Sequence, residues 1–359
     1  MTRTIMIMAG GTGGHIYPAM SVADDLRTQG WRVVWLGSHA GMEARLVPPK
    51  GYDMAWIRFS GLRGKGLARL LTLPFSLLIA CAQSARAIFT HRPDVVLGMG
   101  GYVAFPGGLM ASLLRRPLVI HEQNSVAGLT NRVLARLADR VLMAFPNAFK
   151  NSRRGMWVGN PVRADIAAVA APQVRYAAAP NAKLNVLVIG GSQGAAVLNE
   201  TLPKALALMP EAQRPNVTHQ AGAAHIDTLR AAYARADVAA EALAFIDDMA
   251  ARYARADLVI CRAGASTVTE IAAAGVASLL VPLPWAVDDH QTGNARFLSE
   301  RGAALLIPQA EFTPEKVAQL LQGCTREKLL EMACAARGAA KPDATQAVSK
   351  ICMELAHAA

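Results

Sequence analysis

Residues 4–18 read "TIMIMAGGTGGHIYP". A short apolar run ends at Met8, and four glycines and a histidine follow within residues 10–15. Apolar runs of this length bounded by glycine are what a strand buried on both faces looks like. The glycines then predict a tight turn into a helix whose exposed N–H groups suit a phosphate or diphosphate. The same order returns at 184–194, "LNVLVIGGSQG". Two such openings in one chain, each followed by alternating strands and helices, predict two α/β domains with parallel sheets.

Further strands are expected at 32–37, 94–101, 117–123 and 140–145 in the first half, and at 258–264 and 277–284 in the second. Each is an apolar run closed by turn residues and followed by a helical pattern. Between the halves lies "RADIAAVAAPQVRYAAAPNAK" (163–183), whose Ala/Pro bias reads as a connector. The domains are therefore set at 1–162 and 163–340. A last helix within 341–359 carries Val348, Ile351, Cys352 and Leu355 on one face and is expected to pack back onto the first domain.

The charge is divided between the halves. Residues 1–162 hold 19 Lys and Arg against 7 Asp and Glu, whereas the remainder holds 18 against 19. The basic excess thus sits in the first half, as it would if that half alone met a polyanion or an anionic membrane surface. Nucleic acid is disfavoured, because no aromatic-basic interleaving accompanies the charge. The five cysteines show no C-x-x-C spacing and read as reduced thiols of a cytoplasmic protein. No secretory signal is expected. The most apolar stretch, 70–82, is interrupted by Pro74 and falls short of the about 20 residues a membrane span needs.

Familiar nucleotide motifs fit badly. A dinucleotide fingerprint beginning at Gly11 would require glycine where Ile16 stands, and no G-x-x-x-x-G-K-[ST] occurs. No cluster has metal-ligand spacing, and no cofactor is implied. His15 lies just past the first turn, where open α/β sheets keep their ligands, and imidazole suits a general base. In "CRAGASTVTEIAAAG" (261–275), Thr267 and Glu270 have capping-box spacing. Glu270 could instead hold a ribose diol, and both readings stay open. The polar run "DDHQTGNA" (288–295) fits a sugar-binding loop or an exposed helix start.

The ordered set "AGGTGGHIYPA", "SGLRGKG", "PDVVLGMGGYVAFPGG", "HEQNSVAGLTNR", "VGNPVR", "GGSQGA", "FIDDMA", "CRAGASTVTEIAAAG" and "DDHQTGNA" resembles the MurG family of N-acetylglucosaminyltransferases along essentially the whole chain. The resemblance implies a GT-B fold, two Rossmann-like doubly wound parallel-sheet domains facing across a cleft. It also implies inverting, metal-independent transfer of GlcNAc from UDP-GlcNAc to the C4 hydroxyl of MurNAc in undecaprenyl-diphospho-MurNAc-pentapeptide, converting lipid I to lipid II in peptidoglycan synthesis. By the same resemblance the donor meets Thr12, Gly13, Gly14, Asn124, Arg163, Ser192, Ile246, Ala265, Ser266, Thr267, Val268, Thr269, Glu270, His290 and Gln291. Glu270 would hold the ribose and the Ile246 backbone the uracil. Tyr102 and Asn131 fall on the acceptor side, and His15 and Glu122 are the two candidates for the base. Some relatives carry two glutamines where this chain has His290-Gln291, so which of the pair meets the sugar stays open.

The basic half then acquires a partner. Arg63, Lys65, Arg69, Leu70, Phe75 and Leu78 would form a membrane face, aided by Arg132, Arg136 and Arg140 if one helix carries all three. This predicts a peripheral protein on the cytoplasmic face of the inner membrane, with cell-wall synthesis proteins as neighbours. Competing readings are a UDP-GlcNAc 2-epimerase on the same fold, a transferase for another lipid acceptor, and a non-enzymatic UDP-sugar sensor or scaffold.

Overall fold

The computed structural model describes residues 2–60, 67–149, 155–178, 182–191 and 194–358, and for 67–71 the backbone alone. The chain forms two compact units, residues 1–163 with 341–359, and residues 164–340.

The first unit alternates strand and helix: β1 (Thr4–Met8), α1 (Gly13–Thr28), β2 (Arg32–Ser38), α2 (Glu43–Leu46), β3 (Asp53–Ile57), α3 (Leu67–His91), β4 (Val95–Gly98), α4 (Ala104–Leu113), β5 (Leu118–Glu122), α5 (Leu129–Leu134), β6 (Arg140–Met143) and β7 (Gly155–Trp157). All seven strands are parallel, in the order β3-β2-β1-β4-β5-β6-β7. Parallel strands need crossovers, and the crossover helices cover both faces of the sheet. Along β1, Ile5 and Ile7 join one core with Ile16, Ala19 and Leu26 of α1, while Met6 and Met8 join another with Ala80 and Ile88 of α3. Strand order reverses between β1 and β4, and that crevice is where such sheets bind ligands.

The second unit runs α6 (Ala164–Ala167), α7 (Pro172–Ala177), β8 (Asn185–Ile189), α8 (Ala196–Ala207), β9 (Asn216–Gln220), α9 (Ile226–Arg235), β10 (Glu241–Leu243), α10 (Met249–Arg255), β11 (Leu258–Cys261), α11 (Ala265–Ala274), β12 (Ala277–Leu280), α12 (His290–Ser299), β13 (Ala304–Leu306), α13 (Pro314–Gln322) and α14 (Arg326–Ala339). Its six parallel strands follow β10-β9-β8-β11-β12-β13, so the switch lies between β8 and β11. The final helix, α15 (Ala344–Ala358), returns to the first unit, where Val348 and Cys352 are fully buried in the core that α1 shares.

Three expectations are corrected. The stretch expected as a connector is structured over residues 164–177: α6 and α7 are built into the second unit through buried Ile166 and Tyr176, and Tyr176 Oη donates to the Asp257 carbonyl at 3.0 Å. Arg132, Arg136 and Arg140 share no helix, because α5 ends at Leu134 and Arg140 opens β6. The apolar stretch at 70–82 is part of a 25-residue helix, of which Thr72–His91 is long and apolar enough to cross a membrane by length and composition. One of its faces is nevertheless committed to the domain, since Ala80, Ser84 and Ile88 are buried.

Candidate active site

In the first unit, the turn after β1 is held from beneath by a carboxylate. Glu43, fully buried, accepts from the Gly11 N–H and the Ser38 N–H, each at 3.0 Å. Tyr102, in the turn after β4, lies against the same turn, its ring 3.4 Å from where a Cβ on Gly11 would fall. Burial first, then the Glu43 charge, raises the Tyr102 hydroxyl pKa above its ordinary value. Thr12 is the exposed N-cap of α1, and its hydroxyl makes no capping bond. Gly13 and Gly14 form the first turn, followed by half-buried His15.

His15 Nδ1 stands 3.0 Å from Gln123 Oε1, in the loop after β5. Its neighbour Glu122 has a different office. It is 2% exposed and accepts from the Asn124 N–H (2.9 Å), Asn124 Nδ2 (3.3 Å), the Gly128 N–H (3.1 Å) and Asn131 Nδ2 (2.9 Å). A carboxylate so fully occupied organises the 123–131 loop. Asn131, itself 3% exposed, is part of that internal scaffold. Arg163 belongs to this unit and lies over the Tyr17 ring of α1, 5.8 Å from its centroid.

In the second unit, the turn after β8 runs through Gly190, Gly191 and Gly194; Ser192 lies outside the described residues. The turn after β11 starts α11. Gly264 is its N-cap, which makes Thr267 the third helical residue and Glu270 the sixth, so of the two open readings the capping box does not form. Glu270 instead accepts from Tyr253 Oη at 3.2 Å. Ala265 and Val268 face the core, while Ser266, Thr267, Thr269 and Glu270 keep partial exposure. Thr269 Oγ donates back to the Ala265 and Ser266 carbonyls. Ile246 is buried in the loop after β10.

The His290-Gln291 pair opens α12 after two successive non-glycine residues with left-handed backbone, Asp288 (φ 52°) and Asp289 (φ 50°). Such strain persists only where surrounding structure over-determines it. Here His290 Nδ1 bonds the Val287 carbonyl at 2.6 Å and Gln291 Oε1 accepts from the Leu283 N–H at 2.9 Å. With its oxygen engaged, the Gln291 amide keeps its N–H groups to donate. Arg262 braces the same loop through the Val281 and Pro282 carbonyls.

Sequence reasoning missed Glu43, Gln123, Tyr253 and Arg262, because each acts on a residue distant along the chain. Of the expected membrane face, Phe75 and Leu78 are 71% and 68% exposed on α3. Arg63 and Lys65 lie outside the described residues, as do the side chains of Arg69 and Leu70.

Residues 5–143 match the glycosyltransferase family 28 N-terminal domain and residues 185–348 the glycosyltransferase family 28 C-terminal domain. A curated relative from Dechloromonas aromatica, a UDP-N-acetylglucosamine--N-acetylmuramyl-(pentapeptide) pyrophosphoryl-undecaprenol N-acetylglucosamine transferase, is 60% identical over 99% of this chain and 100% of its own. Its namesake from Cupriavidus metallidurans is 62% identical over 99% and 98%. Among solved structures, Acinetobacter baumannii MurG superposes with a TM-score of 0.84 at 45% identity, covering 98% of this chain and 99% of its own. Two parallel-sheet units matched throughout to such relatives have the GT-B fold, and the chain belongs to the MurG family of glycosyltransferases.

Proposed function

We propose that this protein transfers GlcNAc from UDP-GlcNAc to the C4 hydroxyl of the muramyl sugar of lipid I, with inversion, in peptidoglycan synthesis. The observation that carries the reading is near-complete alignment, at 60–62% identity, with transferases named for that reaction. The two switch points supply chemistry to match. In the second unit, the N-terminus of α11 and the glycine turn after β8 offer backbone N–H groups to the departing UDP, whose growing charge they stabilise. Glu270 suits the ribose hydroxyls, the Ile246 backbone the uracil, and the Gln291 amide the transferred sugar.

In the first unit, Thr12, Gly13, Gly14, Asn124 and Arg163 are assigned to the donor's diphosphate and sugar, and Tyr102 to the acceptor. His15 is the base. As the C4 oxygen forms its bond to C1, the C1–O bond to the diphosphate breaks and its electrons leave with UDP. The hydroxyl proton passes to His15 Nε2. Glu122 is the poorer base because its oxygens already accept four hydrogen bonds. No step calls on a metal.

A lipid-linked acceptor also suits the surface of this unit. An apolar cavity of about 300 Å³ is lined by Phe59, Leu73, Leu77, Phe105, Leu129 and Val133, with Tyr102 on its wall. Phe75, Leu78 and Ile79 are exposed on α3, and Arg86, Arg132 and Arg136 are exposed cations of the same unit. Basic residues near anionic lipid contribute about 1 kcal/mol each, so reversible binding to the cytoplasmic leaflet follows.

The test is transfer of labelled GlcNAc to a lipid I analogue in detergent, with and without EDTA. Inverted product in both conditions is expected. Absence of transfer by a protein that still binds UDP-GlcNAc would sink the reading, and release of a 2-epimer from UDP-GlcNAc alone would replace it with epimerisation.

A further inference from the structure

We propose that Gln123 and His121 are positioning residues for His15: a line of hydrogen bonds running in from the Gly159 carbonyl dictates which ring nitrogen of His15 carries the proton. The inference rests on the reading of His15 as the base.

The direction of every bond follows from its inner end. The Gly159 carbonyl can only accept, and His121 Nε2 lies 2.9 Å from it, so Nε2 carries the hydrogen. His121 is completely buried, and desolvation lowers its pKa to about 4, so the ring is neutral and Nδ1 is a lone pair. Gln123 Nε2 is 3.2 Å from that lone pair and 3.3 Å from the His121 carbonyl, so both amide hydrogens meet acceptors. Reversing the amide would set its oxygen against a lone pair and a carbonyl together, and at a side chain 1% exposed no water relieves that. Gln123 Oε1 therefore faces His15 Nδ1 at 3.0 Å as an acceptor. His15 Nδ1 must carry hydrogen, and in the neutral ring the lone pair is left on Nε2. A neutral histidine side chain free in water prefers the opposite arrangement.

The turn after β4 is shaped around this contact. A Cβ at Gly100 would fall 2.8 Å from His15 Nδ1 and 3.4 Å from Gln123 Oε1, and the residue has φ +92°. Glycine alone meets both demands, the close approach and the left-handed backbone. His121 and Gln123, two positions apart, share one side of the extended chain leaving β5, whereas Glu122 between them serves the 123–131 loop. One segment thus supports two different parts of the site from its two sides.

The experiment reads ring nitrogens directly. In protein labelled with ¹⁵N-histidine, with His15 assigned by its loss in His15→Ala, the neutral ring should show the Nδ1–H pattern. Gln123→Met keeps the side chain's length and removes the acceptor. It should move His15 to the Nε2–H pattern and lower kcat at least tenfold, with KM for UDP-GlcNAc within twofold. An Nε2–H ring in the unsubstituted protein overturns the proposal, a result needing no variant to fold. So does unchanged kcat in Gln123→Met, or an effect confined to KM. The spectrum does not depend on turnover, so a protein with the Nδ1–H ring but no GlcNAc transfer would refute the reaction and leave the hydrogen-bond line intact.

Discussion

The two glycine turns have the same topology and different foundations. The turn after β1 rests on side chains: the Glu43 carboxylate beneath it, Tyr102 beside it, and His15, Gln123 and His121 in line behind it. The turn after β8 rests on a close main-chain approach and one side-chain amide. A Cβ at Gly194 would strike the Ala221 carbonyl, and Gln220 Nε2 reaches the Gly191 carbonyl at 3.2 Å. A fold that exposes backbone N–H groups at a switch point can hold an anion wherever it repeats. Proton transfer requires a titratable side chain held at one orientation, and the first unit places such a side chain, His15, at its turn. Shared topology therefore says where ligands sit, and the packing under each turn says what can happen there.

The largest expected effect separates the two sides by kinetics. His15→Ala should lower kcat by about 10²- to 10⁴-fold, the range for a lost general base, with donor binding intact. Titration with UDP-GlcNAc alongside turnover of the lipid acceptor checks both halves. Near-normal kcat, or lost donor affinity, would break the assignment of chemistry to the first unit.

Acid should damage both units by one mechanism. His121 in the first and His219 in the second are fully buried, and desolvation lowers their pKa values to about 4 and about 3. The unfolded chain takes up these protons near pH 6.5, so stability is complete above that value and is lost as pH falls towards 4 and 3. A displacement of that size corresponds to about 3 kcal/mol for His121 alone. The thermal midpoint should drop steeply between pH 6.5 and 4.5; a flat profile there would contradict the burial of neutral rings.

In the second unit the expected signature is affinity. Glu270→Ala should raise KM for UDP-GlcNAc about ten- to a hundredfold, the value of a charged hydrogen bond or two, with kcat little changed. A selective fall in kcat would blur the contrast with His15.

What the sequence reveals follows the same divide between main chain and side chain. Eight of the nine interior strands stand out because burial on both faces leaves unbroken apolar runs, as in "TIMIM" and "NVLVI", whereas β9, "NVTHQ", carries polar residues and does not. Edge strands such as β3 and β7, half-exposed, leave no such mark. The glycine turns are visible because the backbone itself demands the residue. Gln123 is invisible because its meaning lies in a contact 108 positions away, and Glu122 could be ranked beside His15 only until its four donors were seen. The 163–183 segment misleads because alanine and proline resemble a linker when the few anchoring side chains, Ile166 and Tyr176, are sparse. Thr267 and Glu270 mislead because spacing alone cannot say where a helix begins.

The smallest effect tests whether Glu270 is steered as His15 is. Tyr253 is 1% exposed, and its hydroxyl is aimed at Glu270 Oε2 from α10. Tyr253→Phe keeps the buried ring and removes one hydrogen bond, worth about 1 kcal/mol, so KM for UDP-GlcNAc should rise about fivefold. If the hydroxyl acts only by orienting the carboxylate, it has nothing to orient once Glu270 is alanine. The double variant Tyr253→Phe/Glu270→Ala should then match Glu270→Ala alone, a coupling as large as the tyrosine effect itself. Additive losses would mean that Tyr253 acts through the packing of α10 against α11. Glu270 would then not be steered by Tyr253, and the contrast with the line behind His15 would sharpen.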